Sequence, residues 1–197
     1  MPLPAKLVVG AFTARKSLLD AVLAPLQKEL GGIDLVSAWW AFDYTDYYTA
    51  EMGQPLFRRM LAFKSLVDAG QLATLKAATN RMEVELSLGQ RRQVNLDPGI
   101  LTRERFVLAT GKNFVHRVYL RDGIYADLTL LYQRGAFEPL PWTYPDYRSP
   151  EMLAFLERVR AKYGEDLCAQ SFNVQGSTLE VDGFGMGANQ PRSHDQH

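Results

Sequence analysis

The chain has 197 residues, 22 basic side chains against 22 acidic ones, and one cysteine. That length suits one domain that buries its own core, and the balanced charge argues against nucleic acid or anionic lipid as a partner. The lone Cys168 excludes an internal disulfide and any multi-cysteine zinc site, and no leader or membrane-spanning apolar run is visible, so a soluble, cytoplasmic chain is expected.

In chain order, "KLVVGAFT" predicts a strand. Next, "SLLDAVLAPLQKEL" places Leu18, Leu19, Val22, Leu23, Leu26 and Leu30 at helical spacing, with Pro25 expected to kink or break the helix. Gly31 and Gly32 end it before a second strand in "IDLVSAWWAFDYT". From Pro55, the spacing of Leu56, Met60, Phe63 and Val67 predicts a helix. Beyond Gly70 a further helix carries Leu72, Leu75, Thr79, Met82 and Leu86 as its apolar stripe. Lys76, Asn80 and Glu83 run along the border of that stripe, and Arg81 and Glu85 form an exposed pair.

After Gly89 the period becomes two. In "RRQVNLD", Gln93, Asn95 and Asp97 point one way and Val94 and Leu96 the other, and Asp97-Pro98-Gly99 suits a type II turn. "RFVLAT" is the next strand, and "HRVYLRDGIYADLTLLY" is a hairpin turning on Asp122-Gly123. A two-residue loop pairs Arg121 with Ile124, Tyr119 with Ala126, Val118 with Asp127 and His116 with Thr129. Ser149-Pro150-Glu151-Met152 opens a last helix, which Gly164 is expected to end. The whole predicts an α+β fold: a single domain over 1–166 with a mixed or mostly antiparallel sheet, about four helices and a ferredoxin-like opening, then a weakly ordered polar tail over 167–197.

Several stretches carry possible chemistry. "ATGKNF" is not a P-loop, because Phe106 stands at the first glycine position and Asn113 replaces the magnesium-binding Ser or Thr. His116 supplies an imidazole, the side-chain type most often used as general acid or base, and Asp127 is placed to orient it; a packed sheet histidine is the plain alternative. Asp43, Asp46 and Glu51 sit among tyrosines at a strand exit, where oxygen ligands suit a hard cation such as magnesium, or where a carboxylate simply caps a helix. The leading expectation is a binding protein or enzyme for a small anionic metabolite, phosphorylated or nucleotide-like. In it His116 carries the proton, Asp127 orients it and Lys76 stabilises charge, while Asp43, Asn80, Glu83, Asn95, Asp97 and Arg117 bind substrate. The rival is a non-catalytic interaction module whose aromatic segments, residues 39–48 and 142–147, meet a partner. The direction of those rings separates the two: a contiguous exposed patch suits a partner, and convergence on a polar cleft suits a small molecule.

The motifs "TDYYTAEMG", "LATLKAATNRMEVEL", "RRQVNLDPGIL", "VLATGKNFVHRVYLRDGIYADLTL" and "WTYPDYR" resemble, in order, those of the bacterial and archaeal domain-of-unknown-function 4416 family. The resemblance spans about residues 5–165 and implies membership without an activity. Some members carry a GTP-binding label, but this chain has neither a P-loop nor an Asn-Lys-x-Asp guanine motif. Ile100 stands where the family often has Tyr, and Asp127 where it often has Glu, which shortens the carboxylate's reach toward His116.

Overall fold

The computed structural model describes residues 2–178, with side chains through Gln170. β1 (Ala5–Thr13) is buried along its whole length. Leu7, Val9 and Ala11 enter one core layer, and Val8 enters another on the opposite face. α1 (Lys16–Leu30) lays Leu19, Val22, Leu26 and Leu30 on the first layer. It does not break at Pro25, which lies on the exposed side. There water can satisfy the carbonyl that lacks a donor, while the buried stripe holds the helix in place.

β2 (Ile33–Val36) and β3 (Trp40–Ala41) both pair with β4 (Phe57–Val67), and the short α2 (Thr49–Met52) lies between β3 and β4 in sequence. β4 corrects the helix expected from Leu56, Met60, Phe63 and Val67. It lies between β2 and β1, with Met60 and Ala62 in one core layer and Leu61 and Phe63 in the other. A strand buried on both faces shows no alternation, so the spacing of its apolar residues carries no information about period.

α3 (Leu72–Glu85) and β5 (Asn95–Leu101) complete the order β2-β4-β1-β5. This is two interleaved β-α-β crossovers, the ferredoxin-like arrangement. β6 (Arg105–Thr110), β8 (Ile124–Gln133) and β7 (Arg117–Arg121) extend the sheet, β9 (Ala136–Pro139) pairs with β8, and every pairing is antiparallel. α4 (Pro150–Thr178) covers the face opposite α1 and α3 through Met152, Phe155, Leu156, Val159 and Tyr163. It does not stop at Gly164. The mid-helix glycine costs about 1 kcal/mol, and the apolar stripe together with ion pairs reaching Asp166 holds the helix past it. Residues 167–178 are therefore helical where a tail was expected, and 179–197 lie outside the described residues. Among the described residues no helix is long and apolar enough to cross a membrane.

Two local departures from expectation shape the far half of the sheet. Asp97-Pro98-Gly99 is not a turn but the middle of β5. β5 pairs with β1 from Asn95 to Leu101, yet with β6 only from Gly99 onward. Pro98, with no amide to donate, sits where the β6 side is unpaired. A side chain at Gly99 would meet the Phe106 ring at 2.7 Å and the Val107 carbonyl at 2.9 Å, so only glycine permits that last close pairing. Beyond it Asn95 and Asp97 keep β1 alone, Ala109 and Thr110 keep β8 alone, and the sheet opens as a wedge.

The second departure is in the hairpin. Asp122 and Gly123 have φ of 52° and 73°, the type I′ turn expected, and Arg121 faces Ile124. An irregularity between Tyr119 and Arg121 then slips the register, pairing Tyr119 with Tyr125 and Arg117 with Asp127. His116 therefore does not face Thr129; it lies just before the strand.

Candidate ligand-binding cavity

The wedge between β5 and β6 is the mouth of a cavity of about 590 Å³. α3 closes its back with Lys76, Asn80 and Glu83, β5 contributes Asn95 and Asp97, and β8 contributes Asp127. Two aromatic walls come from distant parts of the chain, one of Phe42, Tyr44, Tyr47 and Tyr48 and one of Tyr144 and Tyr147. Gly10 lets the second wall approach the sheet, since a side chain there would meet the Tyr147 hydroxyl at 3.1 Å and Met60 at 3.2 Å.

Charges of alternating sign run through this region. Glu51 accepts from Arg92 Nε and Nη2, both at 2.7 Å, and Arg92 Nη1 donates to Asn95 at 3.0 Å and lies 3.4 Å from Glu83. Glu83 accepts from the Leu96 amide at 2.7 Å, and Lys76 donates to the Leu96 carbonyl at 2.9 Å and to Asp97 at 3.1 Å. Asn95 donates to the other Asp97 oxygen at 2.6 Å. Arg58, 4.0 Å from that oxygen, pairs with Asp146 and lies over the rings of Phe12, Phe42 and Tyr147. The arrangement matches the requirement that buried charge be paired.

Burial pushes the Glu83 carboxyl up, only partly offset by Lys76 and the Leu96 amide, whereas the hydrogen bond from Arg92 holds Glu51 below the usual range. A raised carboxyl favours the protonated form in the folded state, so stability falls as pH rises from the ordinary value of 4.5 through the raised one. Glu51 acts in the other sense, losing its contribution as pH falls through its lowered value. Glu83→Gln keeps an acceptor for Leu96 and should flatten the decline on the rising-pH side. Melting temperatures of both proteins from acid to neutral pH check this; parallel curves would mean Glu83 is not the responsible group.

The sequence-predicted residues divide. Lys76, Asn80, Glu83, Asn95, Asp97 and Asp127 line the cavity; Asp43 is exposed, and neither it nor His116 and Arg117 is in the lining. The order of the expected dyad is inverted. Asp127 faces the cavity, accepting from Arg117 Nε at 2.8 Å, and His116 stands outside the lining with Nε2 3.4 Å from the same carboxylate. The imidazole stacks on Trp142 at 4.9 Å, and Arg117 also donates to the Tyr144 hydroxyl at 2.5 Å. Asp43, Asp46 and Glu51 do not gather: Asp46 accepts from Gln54, and Glu51 is held by Arg92. Among the described residues no group of three His, Cys, Asp or Glu is arranged to hold a metal ion. Arg81, expected to pair with Glu85, reaches Glu29 instead.

Sequence reasoning missed Arg58, Arg92, Asp146 and the place of Tyr48 and Tyr147 in the lining. A buried arginine in a strand whose pattern resembles a helix carries no local signal. Lys112, just after β6, lines the cavity with its ammonium 4.3 Å from the Tyr47 ring and has no ion pair among the described residues. Other polar groups of the lining residues make no hydrogen bond within the described part of the protein. Tyr147 Oη and Arg58 Nε are buried without a hydrogen-bond partner, and the Tyr48 hydroxyl and Asn80 amide make no side-chain hydrogen bond among the described residues. Burial, with Asp97 adding to it, lifts the Tyr48 phenol to about 12; burial likewise lifts Tyr147 to about 12. Both keep their proton at neutral pH and can donate as well as accept.

Fold and cavity together define an α+β protein with a ligand-sized cavity opening where its antiparallel sheet parts. The chain belongs to the family described as Domain of unknown function (DUF4416), whose model matches residues 3–163. No curated protein and no solved structure matches it.

Proposed function

We propose that this protein binds a small anionic metabolite, phosphorylated or nucleotide-like, in the cavity between β5 and β6. One observation carries the reading: the lining's carboxylates are engaged with cations or amides, while the Lys112 ammonium, a group that can only donate, lines the same cavity with no ion pair among the described residues. Charges that cancel in number therefore leave a cavity able to accept negative charge and oxygen atoms. The aromatic walls support the same reading, because both aromatic segments contribute rings to this cavity. Glu83, raised by burial, is the lining group best suited to carry a proton, and His116 acts on the site through Asp127.

The test is a thermal-shift screen of the full chain against inorganic phosphate, nucleoside monophosphates, sugar phosphates and di- and tricarboxylates, with and without magnesium. A ligand at about 100 times its Kd adds about 2.7 kcal/mol, a rise of roughly 5–10 °C for a chain of this size. Lys112→Ala should weaken the best binder about 10- to 100-fold, the loss of one charge-assisted hydrogen bond. A panel in which no member raises the melting temperature at millimolar concentration overturns the reading.

A further inference from the structure

Arg117 lies outside the cavity lining, yet its guanidinium is committed to three residues within it. Nε donates to the Asp127 carboxylate at 2.8 Å, Nη1 to the Lys112 carbonyl at 2.9 Å and Nη2 to the Tyr144 hydroxyl at 2.5 Å. These partners reach the cavity from β8, from the stretch after β6 and from the residues leading to α4. The Asp127 carboxylate depends on Arg117 for its hydrogen bond, because His116 Nε2, 3.4 Å from it, is buried without completing one. The stretch that carries Lys112 folds around the same side chain. The Lys112 amide donates to Thr110 Oγ1 at 3.2 Å, its carbonyl accepts from Arg117, and the Arg117 amide donates to the Phe114 carbonyl at 3.0 Å. The direction in which Lys112 leaves the chain is therefore set by Arg117. Its guanidinium also lies 5.8 Å from the centre of the Tyr144 ring. The ion pair of Arg117 with Asp127 is largely buried, so losing the cation would leave a bare carboxylate facing the cavity and opposing any anion there.

Resting on the anion-binding reading, we infer that Arg117 is the positioning residue of the cavity. It meets no ligand; it aims Lys112 at the anion, holds the Tyr144 ring in its wall and cancels the charge of Asp127. A guanidinium suits this task because its planar fork sends separate N–H groups in fixed directions, whereas the ammonium of lysine is one compact centre. Holding the three groups in place before the ligand arrives removes an ordering cost from binding. Because Arg117 acts largely through Lys112, most of its effect on affinity requires that lysine.

Isothermal titration of the full chain with inorganic phosphate, ribose 5-phosphate, adenosine 5′-monophosphate and citrate tests it, through a double-mutant cycle on the tightest of these probes. Arg117→Met with Asp127→Asn removes the guanidinium without stranding a carboxylate. In the otherwise wild-type chain it should weaken that probe about tenfold; in Lys112→Ala, where no lysine remains to be aimed, the same change should cost no more than about threefold. Arg117→Lys keeps a charge beside Asp127 but not the fork, should melt close to the wild-type temperature, and should weaken binding with the same dependence on Lys112. It decides the matter if the methionine variant does not fold. Equal factors in both backgrounds mean that the guanidinium meets the ligand itself or only supports the fold, and overturn the inference. Unchanged affinity in the methionine variant, or full affinity in Arg117→Lys, overturns it too, and these results leave anion binding intact. A wild-type chain that binds none of the probes overturns anion binding and the role of Arg117 together.

Discussion

Lys6→Met is expected to remove about 3–5 kcal/mol of folding free energy, the usual loss when one partner of a buried ion pair is deleted. Lys6 is fully buried in β1, and its ammonium donates to Asp34 on β2 and Asp166 on α4, each at 2.6 Å. Without it the largely buried Asp34 carboxylate loses its cation, and Asp166 keeps only Lys162. Against a typical total of about 5–15 kcal/mol the loss is large, and urea denaturation of both proteins reads it directly. The slope with pH separates charge from packing. In the wild type, burial works to raise Asp166, but hydrogen bonds from Lys162 and Lys6 prevail and hold it below its ordinary value, so its contribution is lost as pH falls through the lowered value. In Lys6→Met the carboxyls are expected to favour protonation, so acid should restore stability instead. Adding Asp34→Asn and Asp166→Asn should recover most of the loss at neutral pH. A loss near zero in the single variant would show that the cluster opens to water and does not clamp α4 to the sheet.

Arg58→Met should be comparably damaging and should also abolish ligand binding. Arg58 is 3% exposed, pairs with Asp146 and lies over Phe12, Phe42 and Tyr147 at 5.7, 5.0 and 4.8 Å. Methionine fills part of the space but strands the Asp146 carboxylate, again a loss of about 3–5 kcal/mol. The double variant Arg58→Met with Asp146→Asn should regain stability without regaining binding, since the donor under the aromatic walls is still missing. Arg58→Lys should not rescue binding, because a compact ammonium cannot reproduce a flat guanidinium stacked between rings. Denaturation midpoints and titration with the best ligand of the screen check both halves. Binding restored in the double variant would remove Arg58 from the site.

Much of the cavity's membership was legible once α3 was recognised. The border position of Lys76, Asn80 and Glu83 and the shared direction of Asn95 and Asp97 follow from helix and strand periods, and all five line the cavity. His116 was misplaced because a hairpin register counted from its turn assumes an unbroken ladder, and one irregularity next to Arg121 shifts every pair beyond it. The second wall was legible as an aromatic-rich segment but not as a wall, because which way a ring turns depends on what packs behind it. Here Gly10 leaves room for Tyr147.

By itself the sequence determined the elements whose signals are local. These are β1 and α1, the amphipathic α3, the period-two run after Gly89, the Asp122-Gly123 turn and the start of α4, and with them the α+β class. Each depends on spacing within one turn or one strand, or on the backbone preference of a residue or two. The tertiary structure alone decided β4, the passage of α1 through Pro25 and of α4 through Gly164, and the parting of β5 from β6 at Pro98-Gly99. In those places burial against distant elements outweighs local preference, or a residue that commonly turns the chain is held extended by one neighbouring strand. The cavity belongs to this second class: its walls come from residues 12 to 147, and they meet only because the sheet opens there.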